Sequence, residues 1–301
     1  MLDSKDIFWE LHPVFFLSRF VGLSPYTKRF KISCVWISVT IFYLILTLSD
    51  STLIMIAMEK VNTTFILSPY SLILERVQLL LVTITMTTSL FLAITNAKSL
   101  AELMESFLRA DRDLWKVGVF ISPSRRFCFK TVAIRFAIIF AILIYEIRHT
   151  LSSIQQLLVQ YIILAPLTLG CVAEAQYMVL INAVRHRINV MILDMKEDKA
   201  QSYSAKSKKL ETFVIIHSSL VESSSVINSL YAIQILMLIS SIFINSTANL
   251  YHLIEKTVDL VRLYNYKDFA TLMVMVCRVT ARSFEVWSVA ATSFDTQETV
   301  S

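Results

Sequence analysis

Arg278, Arg282 and Glu285 sit four and three residues apart inside an otherwise apolar run near the C-terminal end of the chain. On a helix those spacings place all three on one face. An arginine at the centre of a bilayer helix costs about 2.5–3.5 kcal/mol on insertion scales, so charges there turn toward protein or water rather than lipid. The stripe has two readings: a polar lining beside an ion path or gate, or charges that neutralise one another and only fix the rotation of the helix. Glu174 and Asp50, each near the end of its own apolar run, read as anchors at the membrane interface.

No other cluster reads as reactive chemistry. The five histidines (His12, His149, His186, His217, His252) and four cysteines (Cys34, Cys128, Cys171, Cys277) fall at unrelated spacings, which build neither a zinc site nor a disulfide framework. There is no Gly-rich phosphate loop, no Gly-x-Ser-x-Gly and no His-Glu-x-x-His, and three glycines in 301 residues leave little from which to make a phosphate cradle. The chain does not read as an enzyme, and nothing in it calls for a cofactor, a metal ion or a nucleic acid.

Composition sets the elements that must carry the stripe. Apolar residues make up 55% and charged residues 17%, with a mean hydropathy of +0.62, against about 45–50% and about 25% in a soluble domain. Such a chain belongs in a bilayer. Every Gly and Pro lies at or before Gly170, so the 131 residues from Cys171 onward hold no breaker and favour long helices. A membrane β-barrel would instead alternate in segments of about 10 residues separated by turns. A helical crossing needs about 20 mostly apolar residues, and six runs qualify: 32–58, 72–97, 131–148, 152–180, 220–254 and 267–291. The expected fold is an all-α integral membrane protein, a helical bundle of six transmembrane spans. Its N-terminal segment is 1–31 and its tail 292–301.

Charge gives the orientation. Residues 1–31, 97–130 and 184–212 hold 19 of the 28 Lys and Arg residues, whereas the alternate loops hold four. By the positive-inside rule the N-terminus is cytoplasmic. The sequon Asn62-Thr63-Thr64 then falls in the first outside loop and is a glycosylation candidate. Asn245-Ser246-Thr247 also matches, but lies within a span.

The inner connections read as structured. In 98–130, Leu100, Leu103, Met104, Phe107, Leu108 and Leu114 recur near helical periodicity, which predicts an amphipathic helix. Over 181–215 the fourth span is expected to leave the membrane as a rod and the fifth to return through Leu210, Phe213 and Ile216. Paired stems of this kind would offer an assembly surface.

Three stretches carry a resemblance. They are Pro13-Val-Phe-Phe-Leu-Ser-Arg-Phe-Val-Gly-Leu-Ser-Pro25, the Arg185–Asn189 end of span four, and His217-Ser-Ser-Leu-Val-Glu-Ser-Ser-Ser-Val-Ile-Asn228 leading into span five. In these, and in the order of its elements, the chain resembles the insect gustatory receptors, relatives of the insect odorant receptors. The resemblance implies a multi-pass plasma-membrane taste receptor: a homo- or hetero-tetrameric, ligand-gated, non-selective cation channel surrounded by lipid. In it, cytoplasmic helices anchor the subunits and a small organic tastant enters the outer half of spans two to six. Family members continue into a seventh, pore-lining helix with a Thr-Tyr-h-h-h-h-h-Gln-Phe motif, h being apolar. Ala290 to Glu298 look like the start of the cytoplasmic helix before it. The 301-residue form, an incomplete gene model or a shortened isoform, is therefore expected not to conduct alone.

With that topology, depth selects the ligand candidates: Gln78 from span two, Tyr145 and Glu146 from span three, Gln160 and Tyr161 from span four, Asn245 and Asn249 from span five, and Tyr266 from span six. Aromatics with a few amides and a carboxylate suit a small organic ligand, although tyrosines also gather at membrane interfaces for their amphipathic rings alone. Pro166 and Gly170 are placed to kink span four below the glutamines. Three rival classes fit less well. A G-protein-coupled receptor needs an outside N-terminus and seven spans. A six-span transporter would show related halves and broken helices, and an odorant-receptor-like protein of inverted topology would need the opposite charge asymmetry.

Overall fold

The computed structural model describes residues 7–27, 31–61, 69–121, 127–134, 154–197 and 203–263, together with isolated positions between 137 and 294. Six helices carry it: α1 (Ile7–Phe20), α2 (Cys34–Val61), α3 (Pro69–Thr95), α4 (Ala97–Lys116), α5 (Ile154–Glu197) and α6 (Tyr203–Leu263). Residues 127–134 are also helical. Among the described residues there is no strand, only an isolated antiparallel bridge between Tyr26 and Ile32.

Among the described residues, three helices are long and apolar enough to cross a bilayer, over Cys34–Leu53, Arg76–Thr95 and Lys206–Ala248. Their outward faces carry Val35, Phe42, Ile45, Leu80, Phe91, Leu236 and Phe243, all exposed. Large side chains displayed in this way suit lipid and not water. Between α2 and α3 the hydroxyls of Ser51 and Thr83 share a hydrogen bond of 2.8 Å, the kind of polar tie that joins helices where lipid removes the hydrophobic drive. At 1.5 Å per residue α5 and α6 are roughly 66 and 92 Å long, well beyond a ~30 Å hydrocarbon core. The expected third and sixth spans, 131–148 and 267–291, lie mostly outside the described residues.

Two glycines end helices, because each occupies the left-handed region that other residues avoid. Gly22 (φ 78°) follows α1, with Gly22 N donating to Arg19 O and Leu23 N to Ser18 O. Gly118 (φ 85°) follows α4 with the same pair of bonds, from Gly118 N to Trp115 O and from Val119 N to Leu114 O. Both are Schellman caps, and the apolar contact that usually closes the motif is available in buried Leu114 and Val119. After α1 the chain tucks against the bundle. Leu23 joins Leu90, Leu169, Val172 and Ala173 in a small buried cluster, and Thr40 donates to Gly22 O at 2.8 Å.

The main core gathers α1, α4, the second half of α5 and the first half of α6. In α4 the buried positions are Ala97, Leu100, Leu103, Met104, Phe107, Ala110 and Leu114, close to the stripe that its spacing traces, with Leu108 half-buried at its edge. α5 runs through Pro166 and Gly170 as one helix.

The first part of α6 runs as a helix through Leu210, Phe213 and Ile216. Leu210 is 54% exposed, although Phe213 and Ile216 are buried. The inward position at that level belongs to Lys209, whose ammonium pairs with Asp194 of α5 at 2.6 Å and lies over the Phe213 ring. Glu174, read from the sequence as an interface anchor, is buried within the α5 segment Leu169–Ile181.

Candidate functional site

The main core contains a buried charge cluster built by three helices. Along α5, Val184, Arg187, Ile188 and Met191 fall on one face, and all are buried. Arg187 is 1% exposed. Its Nε donates to Asp111 Oδ1 at 2.7 Å and its Nη2 to Asp111 Oδ2 at 2.8 Å, while Nη1 donates to the Ala183 carbonyl at 2.9 Å. Nη1 also stands 3.6 Å from Glu10 Oε2 of α1, and the guanidinium carbon lies 5.2 Å from the centre of the Phe107 ring. One cation thus ties α1, α4 and α5 together. The planar fork matches a carboxylate with two parallel bonds, which an ammonium cannot do. Burial alone lowers the Arg187 pKa, but Asp111 and Glu10 outweigh it and hold the group above the ordinary arginine value.

A second polar node lies where α3 meets α4. The joint is Asn96, which keeps helical bonding on both sides through Asn96 N to Leu92 O and Leu100 N to Asn96 O. Its side-chain amide donates across to Leu230 O of α6 at 3.1 Å, and Tyr26 Oη donates to Ala97 O at 3.0 Å. Beside the joint is a cavity of about 30 Å³, lined by Tyr26, Asn96, Gln176, Tyr231, Gln234 and apolar neighbours. Tyr231 Oη donates to Gln176 Oε1 at 3.5 Å, and one turn away Tyr177 Oη donates to Asn228 Oδ1 at 3.1 Å. Burial, with Tyr231 nearby, raises the Tyr26 pKa well above the ordinary phenol range. Pockets for organic ligands occupy about 300–1,000 Å³, so this cavity does not hold a tastant.

Of the ligand candidates, Gln78 lies on α3, Gln160 and Tyr161 on α5, and Asn245 and Asn249 on α6. Gln78 is half-buried. Tyr145, Glu146, Tyr266, the stripe Arg278, Arg282 and Glu285, and the sequon Asn62 lie outside the described residues. Reading the sequence by depth passed over Glu10, Asp111 and Arg187. Their signal was nevertheless present: each interrupts an apolar stripe at helical spacing, Asp111 four residues after Phe107 and three before Leu114. Among the described residues no three His, Cys, Asp or Glu side chains gather as a metal ion would require.

No curated protein matches the chain. The family model of the 7tm chemosensory receptors matches residues 11–300, nearly the whole sequence, including α1 from Leu11 onward, the α3–α4 joint and both long stems. The match agrees with the apolar, all-helical architecture of the described residues, and the chain belongs to the 7tm chemosensory receptor family.

Proposed function

We propose that the chain is a gustatory receptor, a subunit of a tetrameric, ligand-gated, non-selective cation channel of the plasma membrane that responds to small organic tastants. The observation that carries this reading is the family match over residues 11–300. The asymmetry of Lys and Arg supports a cytoplasmic N-terminus and six spans, with the tastant entering from the outer half. In that arrangement Gln78, Tyr145, Glu146, Gln160, Tyr161, Asn245, Asn249 and Tyr266 supply the pocket, and Arg278, Arg282 and Glu285 form the polar stripe of the sixth span.

The charge cluster and the Asn96 joint would lie at the inner ends of these spans, so a change in packing around the tastant would reach them along α3, α5 and α6. The test is expression with candidate partner subunits in cells that lack taste receptors, challenge with a panel of sugars, bitter alkaloids and amino acids, and recording of current and calcium entry. A tastant-evoked cation current that Gln78→Ala and Gln160→Ala weaken supports the proposal. A response that runs only through heterotrimeric G proteins, with no current of its own, overturns it.

A further inference from the structure

Gln176 lines the cavity beside the α3–α4 joint and is 3% exposed, yet its Nε2 donor has no hydrogen-bond partner among the described residues. A buried donor left in that state is costly, above all where the surrounding medium offers no water. Its neighbours have complementary capacity. Tyr26 Oη spends its proton on Ala97 O and Tyr231 Oη spends its own on Gln176 Oε1. A hydroxyl that has donated still carries lone pairs, and Gln234 also lines the space, so the cavity faces its occupant with the Gln176 donor, the Gln234 amide and phenolic acceptors. About 30 Å³ is enough to hold a water.

We propose that this cavity is a hydration site. One ordered water accepts from Gln176 Nε2 and donates to a phenolic oxygen of Tyr26 or Tyr231, so that α5 is wired to the joint at Asn96. A larger polar solute does not fit the volume, and an ion would need a charged partner that the lining lacks. The water completes a latch whose other members are the Asn96 bond to Leu230 and the Tyr26 bond to Ala97. It would hold the joint between α3 and the amphipathic α4 at a fixed angle.

The experiment is a density map of the unmodified protein fine enough to show ordered waters elsewhere in the bundle. A peak within hydrogen-bond reach of Gln176 Nε2 supports the site, and a featureless cavity overturns it.

Discussion

Arg187 meets Asp111 through two parallel hydrogen bonds, Nε to Oδ1 at 2.7 Å and Nη2 to Oδ2 at 2.8 Å, although 76 residues separate them in the chain. Removing one partner of a buried pair costs about 3–5 kcal/mol because the other charge is left uncompensated, whereas exchanging the whole set for apolar groups is often neutral. Arg187→Met, which strands Glu10 and Asp111, is expected to destabilise the chain by about that much. Arg187→Lys should recover only part of it, since an ammonium does not reproduce the fork. Thermal unfolding in detergent, with Glu10→Gln/Asp111→Leu/Arg187→Met as the third variant, checks the order. Lysine matching arginine would show that the fork is irrelevant.

The two capping glycines allow conformation and crowding to be told apart. A Cβ on Gly118 would meet nothing within 4 Å, whereas one on Gly22 would approach Tyr43 Cδ2 at 3.1 Å and Leu90 Cδ2 at 3.2 Å. Gly118→Ala should therefore cost only the left-handed backbone term, about 1–2 kcal/mol. Gly22→Ala pays the same term and must also push back two packed side chains. The larger fall in thermal midpoint is expected for Gly22→Ala; equal falls would mean that the contacts around residue 22 yield freely.

The long apolar helices were legible because lipid leaves the backbone no partner but itself, which turns composition into structure. α4 was legible for the opposite reason. Its outer face meets water, so Leu100, Leu103, Met104, Phe107 and Leu114 stand out by contrast. The charge cluster was harder to see, because in a chain sorted by hydropathy a lone Glu10 or Arg187 reads as an edge of a span. Only the pairing across α1, α4 and α5 shows that its charge is answered. Lys209 escaped for the same reason: a lysine beside Leu210 reads as solvated until its pair with Asp194 is seen.

Tyr26 gives a signed pH dependence. Burial raises its pKa above the ordinary value of 10.0, so the folded chain keeps a proton that the unfolded chain releases as pH passes about 10. Below that point both states hold the proton and the contribution is complete. Above it the unfolded state gains by ionising, and stability falls. Between pH 8 and 10.5 the thermal midpoint of the unmodified chain should drop more steeply than that of Tyr26→Phe. At pH 8 the Phe variant should start lower by about 1 kcal/mol for the lost bond to Ala97 O. Parallel slopes would argue that Tyr26 ionises as freely in the fold as outside it.

Asn62 tests the orientation on which the proposed receptor depends. It follows the last residue of α2, Val61, and precedes α3, which begins at Pro69. If 1–31, 97–130 and 184–212 are inside, this loop faces the lumen during synthesis and its sequon is open to the glycosyltransferase. Chain made in a glycosylating cell should then shift to lower mass with an endoglycosidase, and Asn62→Gln should abolish the shift. Asn245 offers no confounding signal, because it lies within the apolar part of α6. A sequon placed in 198–202, between α5 and α6, should stay unmodified. Modification there, with Asn62 bare, would invert the bundle and place the charge cluster of Glu10, Asp111 and Arg187 outside the cell.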